Sequence, residues 1–203
     1  MLHTSRPTVI RSVGLLAAVM LLSGCLDLPS AGDGAVPAAP VAEDAAAAPA
    51  GLPDDIQLGR VDAHVDGDTL WIAIDQPSDA RGALPAGDRY RVRILLVDTP
   101  ETVHPDRDVE CGGPEASTAT AALLPVGAPV WIAPDVELFD IYDRPLRYVW
   151  SGSGVSLEEH LLTAGLAEVA HYPPNDRELD RYRALEAAAR DAGAGIHGEL
   201  GCG

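Results

Sequence analysis

The strongest constraint on the fold is a turn. Asp66-Gly67 stands between two short β-rich runs, Gln57–Val65 and Thr69–Ile74. Asp-Gly is a tight-hairpin dipeptide because both residues tolerate a left-handed backbone. A hairpin here commits the next stretch of chain to an antiparallel sheet. Asp75–Asp88 reads as a loop rich in Pro, Ser and Gly. Arg89–Val97 alternates polar and apolar, then turns wholly apolar at Ile94-Leu95-Leu96-Val97. That pattern predicts one strand running into the interior. Asp98–Gly113 reads as an irregular polar loop. Pro114–Leu124 predicts a helix, with Pro in the first turn and Glu115 near the positive end.

Two further strands are predicted at Val130–Ala133 and Leu146–Trp150, joined by an acidic loop, Asp135–Asp143. Ser156-Leu157-Glu158-Glu159 has the pattern of a capping box and opens a helix that stops at Gly165. Asn175-Asp176-Arg177-Glu178 opens another helix, running to about Ala192 with Leu179, Tyr182, Leu185 and Ala189 at helical spacing. Strands first and helices later make an α+β domain that is mainly β. Five strands with a helix after the third, and about three helices in all, fit a five-stranded Greek-key barrel of the OB type. Aromatic residues are only 4% of the chain, so the core should be aliphatic.

The first 24 residues read as a targeting segment. Arg6 and Arg11 precede an apolar run from Val13 to Leu22, which is too short to span a membrane comfortably. Leu22-Ser23-Gly24-Cys25 resembles a bacterial lipobox, which implies cleavage before Cys25 and lipidation of its thiol. A multiply acylated Cys is a firm membrane anchor. Residues 25–55 read as a disordered tether of Ala, Pro, Gly and six acids. The folded domain is then 56–203. The expected location is the cell envelope, outside the cytoplasm, with a monomer held at the membrane by its lipid.

Charge narrows the function. The formal net charge is −17, and all 14 basic residues are Arg. From residue 56 onward, 25 acids face 12 Arg. This argues against a broad basic face for long nucleic acid and predicts poor affinity for long DNA. It leaves room for a small site built from a few Arg residues and a cation.

Three segments carry the chemistry: Val65-Asp66-Gly67-Asp68-Thr69, Arg93 to Thr102, and Asp140-Ile141-Tyr142-Asp143-Arg144-Pro145-Leu146. The first two each place a carboxylate at a strand end. Two carboxylates with a backbone carbonyl and waters suit a hard cation such as Ca²⁺. Arg forks suit phosphate oxygens. Glu101 is three residues past Asp98 and is placed to orient a water. Such a set matches phosphodiester hydrolysis.

At these residues the chain resembles the thermonuclease (staphylococcal nuclease-like) family. The resemblance rests on Val-Asp-Gly-Asp-Thr, on Arg-Ile-Leu-Leu-Val-Asp-Thr-Pro-Glu-Thr, on Gly-Pro-Glu-Ala-Ser at 113–117 and on Gly-Leu-Ala-Glu-Val-Ala at 165–170. It covers about 56–198 and implies an OB-fold barrel that cleaves DNA or RNA with Ca²⁺. Carried over by position, it implies that Asp68 and Asp98 ligate Ca²⁺ and that Thr99 adds its backbone carbonyl. Arg93 and Arg144 would clamp the scissile phosphate. Glu101 would act as general base, and Tyr142 would lie against the nucleotide phosphate. A non-catalytic thermonuclease-like binding module is the alternative, and the joint presence of Arg93, Glu101 and Arg144 favours the enzyme.

The chain also departs from the family pattern. The turn before the second Arg is usually Gly-rich; here Asp143 puts a negative charge beside Arg144, and Pro145 stiffens the chain after it. Lysines that often line the family's groove are absent. The acids of 135–143 read as a solvated loop, Asp140 excepted. His64, His104, His160, His171 and His197 lack zinc-ligand spacing. Arg147, Arg177, Arg181 and Arg183 should pair with the many acids. Cys111 and Cys202 are either bridged or free thiols, and an extracytoplasmic compartment favours the bridge.

Overall fold

A computed structural model describes residues 47–103 and 108–202. The targeting segment, Cys25, most of the tether and His104 lie outside the described residues. β1 (Gln57–His64) and β2 (Thr69–Ala73) form the expected hairpin across Asp66-Gly67. β3 (Arg89–Ile94) pairs antiparallel with β2. After β4 (Val97–Asp98) and α1 (Gly113–Leu123) come β5 (Pro129–Ala133) and β6 (Leu146–Ser151). The order β1-β2-β3-β6-β5 closes on itself as a five-stranded barrel. Every pairing in it is antiparallel except β3 with β6, where Arg93 faces Leu146 and Ile94 faces Arg147. This is the α+β, mainly β, OB-type barrel that the element pattern predicts.

Three helices and a short 3₁₀ turn (Gly195–His197) complete the domain; α2 is Leu157–Thr163 and α3 is Leu179–Ala192. The barrel core is mostly aliphatic, with Leu70, Ile72, Val92, Ile94, Ile132 and Val149 inward, joined by Tyr148 and Tyr182. Burying an aliphatic side chain of this size contributes about 1.5–3 kcal/mol. Contacts of the domain reach back before β1. Leu52 packs on the core, and Asp55 pairs with Arg177 at 3.0 Å.

Several local expectations need correction. Arg89–Val97 is not one strand. β3 ends at Ile94, and Leu96 takes a positive φ of 60° before β4 pairs with β7 (Glu168–Val169). Leu95 and Leu96 are both buried, so the apolar run marks a tight interior bend and not a continuing pleat. α3 begins at Leu179, after Pro173-Pro174 and a turn. At α2, Ser156 Oγ accepts from the Glu159 N–H at 3.2 Å, which is half of a capping box. The reciprocal half is missing because Glu159 turns outward to Arg181 at 2.8 Å. Glu158 is the buried residue, accepting from the Val149 N–H and the Ser156 hydroxyl, both at 2.9 Å.

The acidic loop is not uniformly solvated either. Asp135 is buried, and its Oδ2 accepts from the Tyr148 hydroxyl at 2.9 Å and the Arg177 N–H at 3.0 Å. Among the described residues Arg147 has no carboxylate at ion-pair distance; it is buried and donates to the carbonyls of Gly82, Leu138 and Leu146. Burial first, then the nearby Arg81 charge, pushes its pKa down to about 10 against the opposing pull of Asp55. Arg177 and Arg181 do pair with acids.

Candidate functional site

The hairpin turn builds one wall of the site. Val65 N–H donates to the Thr69 carbonyl at 3.0 Å, and Asp66 Oδ1 accepts from the Asp68 N–H at 3.2 Å. Gly67 allows helix α1 to approach: a Cβ there would meet Thr99 at 2.8 Å and the Ala116 Cβ at 3.0 Å. Its carbonyl accepts from the Thr120 hydroxyl at 2.8 Å, tying α1 to the turn. Asp68 is thereby fixed at the start of β2.

Asp68 is a hub. Its Oδ2 accepts from the Thr99 N–H at 2.9 Å and the Thr99 hydroxyl at 3.2 Å. Its Oδ1 accepts from the Thr69 hydroxyl at 3.0 Å and pairs with Arg93. The other end of the Arg93 fork donates to Asp98 at 2.6 Å. Arg93 therefore stands between the two aspartates, and its side chain is only 14% exposed. Burial alone would lower its pKa; Asp68 and Asp98 more than reverse this. Asp66 shows the local crowding of negative charge: burial first, then Asp68, pushes its pKa up to about 6.

Arg144 reaches the same cleft from the loop before β6. Asp140, and not Asp143, holds it. Arg144 Nε donates to Asp140 Oδ2 at 2.6 Å, while Asp140 Oδ1 accepts the N–H groups of Tyr142 and Arg144, each at 2.9 Å. These bonds hold the Asp140 carboxyl below its usual range against the cost of burial. Asp143 takes a positive φ of 59°, the conformation a Gly-rich turn supplies without strain. Tyr142 is exposed, with the Arg144 guanidinium 5.5 Å from its ring centroid.

Asp68, Arg93, Asp98, Thr99, Glu101 and Arg144 line one cleft of about 300 Å³, together with Asp66 and Arg91. One Glu101 oxygen, Oε1, accepts from the N–H groups of Thr102 (2.9 Å) and Val103 (2.8 Å). Its backbone is gripped from both sides by Glu110, whose carboxylate accepts the Glu101 N–H at 3.0 Å and whose N–H donates to the Glu101 carbonyl at 2.9 Å. The next residue, Cys111, is joined to Cys202 by a disulfide. Glu110 and Arg91 are additions to the residues singled out from sequence. Arg91 had a signal: the period of two puts Arg89, Arg91 and Arg93 on one strand face. Glu110 had none, since its role depends on a loop that folds back.

The carboxylate oxygens of Asp68 and Asp98 have the chemistry of a hard cation's ligands, and in this structure the Arg93 guanidinium bridges them. Among the described residues no group of three or more His, Cys, Asp or Glu side chains converges at metal-ligand geometry. Asp68 and Asp98 are the two carboxylates on offer, and Thr99 lines the same cleft. His64 Nε2 is within 2.8 Å of the Leu124 carbonyl, a structural bond.

The chain matches the family described as staphylococcal nuclease homologue over residues 91–198. A thermonuclease of Staphylococcus intermedius is 39% identical over 129 residues, covering 63% of this chain and 67% of the relative. Endonuclease YncB of Bacillus subtilis (strain 168) is 35% identical over 131 residues, 64% of this chain and 56% of the relative. The SPbeta prophage-derived endonuclease YokF of the same organism is 34% identical over 137 residues, covering 41% of its own length.

Proposed function

The chain belongs to the staphylococcal nuclease homologue family, and from that premise we propose that it is a calcium-dependent nuclease hydrolysing phosphodiester bonds of DNA or RNA at the cell envelope. The observation that carries this reading is the convergence of Arg93, Arg144 and Glu101 with Asp68 and Asp98 on one cleft. The segment 1–25 supports the envelope location, as does the disulfide, which persists in oxidising compartments.

The residues divide the work by charge. Arg144 keeps its Nη groups for the phosphate because Asp140 takes only Nε. Arg93 spends both ends of its fork on Asp68 and Asp98, and a cation held by those carboxylates would free it to reach the phosphate. Water attacks phosphorus, and negative charge grows on the non-bridging oxygens. The Arg144 guanidinium, fixed through Asp140, stabilises that charge with little reorganisation, and Arg93 would add to it once freed from its aspartates. Glu101 spends Oε1 on two backbone amides, which leaves Oε2 to take the proton of the attacking water. The bond to the leaving oxygen then breaks and that oxygen takes a proton from solvent, giving a phosphate terminus on one fragment and a hydroxyl on the other. Ca²⁺ held by Asp68, Asp98 and the Thr99 carbonyl would supply positive charge at a phosphate oxygen.

The test is cleavage of labelled single-stranded DNA in Ca²⁺ with an EDTA control. Cleavage in Ca²⁺ alone is expected, and binding without cleavage at any Ca²⁺ level would refute the enzyme in favour of a binding module. Arg144→Ala should lower kcat by about 10²–10³-fold. It is a cleaner probe than Arg93→Ala, which would also strand two aspartates side by side.

A further inference from the structure

The stretch that braces Glu101 is exposed and is tied down covalently. Asp108, Val109, Glu110 and Cys111 are all exposed, so burial does not fix them. Glu110 grips the Glu101 peptide through two hydrogen bonds, of 3.0 and 2.9 Å, and two such bonds at an exposed residue are a weak restraint. Helix α1 begins at Gly113, but Gly112 stands between it and Cys111 with a φ of 87°, a left-handed joint. On the Glu110 side of that joint, the tie is the bridge from Cys111 to Cys202. We propose that this bridge is a redox switch on the reaction. Oxidised, it holds Glu110 against Glu101 and keeps the general base in place; reduced by a dithiol, it lets Glu110 go and slows cleavage. The switch rests on the nuclease reading for the reaction that is slowed.

The other end of the tie is fixed to the body of the domain. The Ile196 N–H donates to the Gly165 carbonyl at 2.9 Å, seating the 3₁₀ turn just beyond α2. At Gly165 and Gly195 the two backbones run so close that a Cβ on either would strike main-chain atoms of the other segment. The Glu199 and Leu200 N–H groups donate to the Gly193 and Gly195 carbonyls, both at 2.9 Å, and carry the chain firmly to Cys202. The bridge therefore transmits the position of this frame to an exposed loop.

The bridge is also open to a reductant. With Pro100, Glu110 and Ile196 it lines a cleft of about 470 Å³. Cys111 is exposed and Cys202 is half-buried. The thiolate of a dithiol attacks the Cys111 sulfur, forms a mixed disulfide and expels Cys202 as a thiolate, which takes a proton from solvent. The second thiolate of the reductant then attacks its own sulfur in the mixed disulfide. The reductant closes into a disulfide, and Cys111 leaves as a thiolate that is protonated in turn. Two electrons have passed to the bridge. Cytosolic thiols are kept reduced, whereas disulfides persist in oxidising compartments. A nuclease built this way is slow among the nucleic acids of the cytosol where it is made, and fast beyond it.

The test compares the oxidised and the dithiothreitol-reduced full chain, with Cys25→Ser so that the bridge holds its only cysteines. Both are assayed on labelled single-stranded DNA in Ca²⁺, in the cold, with circular dichroism to monitor folding. Reduction should lower kcat about tenfold with KM nearly unchanged, and reoxidation should restore it. Cys111→Ser should turn over at the reduced rate and ignore the dithiol. Glu110→Ala should slow the oxidised enzyme to a similar rate, and reduction should then add little, because both changes act through one brace. Equal kcat in the two folded forms overturns the proposal, as does a reduction effect of full size in Glu110→Ala. If the reduced chain is unfolded in the cold, oxidised Glu110→Ala decides: wild-type kcat overturns the brace. Amide exchange reads the brace without catalysis. The Glu101 N–H should exchange about tenfold faster after reduction, and an unchanged rate overturns the proposal. A chain that cleaves nothing in either form counts against the nuclease reading alone, and the exchange arm still decides the brace.

Discussion

Removing the Cys111–Cys202 bridge should have two separable effects. The bridge spans 91 residues, so it removes a large closed loop's freedom from the unfolded chain. The loop-entropy relation gives about 4.6 kcal/mol at 25 °C for that length. Domains of this kind hold about 5–15 kcal/mol in total, so the loss is a large share. For a domain of roughly 150 residues each kcal/mol moves the midpoint about 2–4 °C, so Cys111→Ser with Cys202→Ser should lower Tm by about 10–18 °C. The second effect is catalytic. Glu110, which grips the Glu101 peptide from both sides, precedes the bridged cysteine directly. Loosening that grip should cost roughly tenfold in kcat, about 1.4 kcal/mol, at a temperature where both proteins are folded. Thermal melts by circular dichroism read the first effect, and DNA turnover well below both midpoints reads the second. A Tm drop under about 3 °C refutes the entropic reasoning. An unchanged kcat refutes the coupling to Glu101.

Replacing Arg147 with Met should destabilise the domain by roughly 3–5 kcal/mol in urea titration, because three buried carbonyls lose their donor. Glu158 gives a pH signature. Burial pushes its pKa up to about 8, above the unfolded value, so its stability contribution is full below about pH 4.5 and is lost as the pH rises through 8. Urea titrations at pH 5 and pH 8.5 should differ by on the order of 2–4 kcal/mol, and Glu158→Gln should remove most of that difference while keeping the bonds to Val149 and Ser156. Asp143→Gly should lower KM about two- to fivefold by removing a charge beside Arg144, with stability nearly unchanged since Gly accepts the positive φ.

Much of the barrel was legible because its signals are local. Asp66-Gly67 names a turn, and short β-rich runs name β1, β2, β5 and β6. Where side chains answer to distant groups, local signals misled. Ile94 to Val97 has the composition of a strand, yet both of its central residues are buried and the chain must bend there. Arg147 has the composition of a surface ion pair, yet three carbonyls surround it, two of them from distant segments. The site residues lie within short motifs, so their clustering was open to reading. Their partners were not: Asp140 rather than Asp143 holds Arg144, and Glu110 braces Glu101 across a folded loop.

The one parallel pairing of the barrel, β3 with β6, has a consequence for how this protein can fail. Arg93 belongs to one side of that seam and Arg144 lies just before the other, 51 residues later. The Arg93 N–H donates across it to the Pro145 carbonyl at 2.9 Å. No local segment holds both forks, so on the proposed nuclease reading a partly folded form with an open seam could not clamp a phosphate. On that reading the dependence would also run backward: a phosphate diester held by both arginines would act as a clasp on the seam. Bound ligand at about a hundred times its Kd would add about 2.7 kcal/mol of stability by mass action. Barrel closure and binding of such a ligand would then be one equilibrium seen from two ends, and the chain would be best guarded against opening while it is bound.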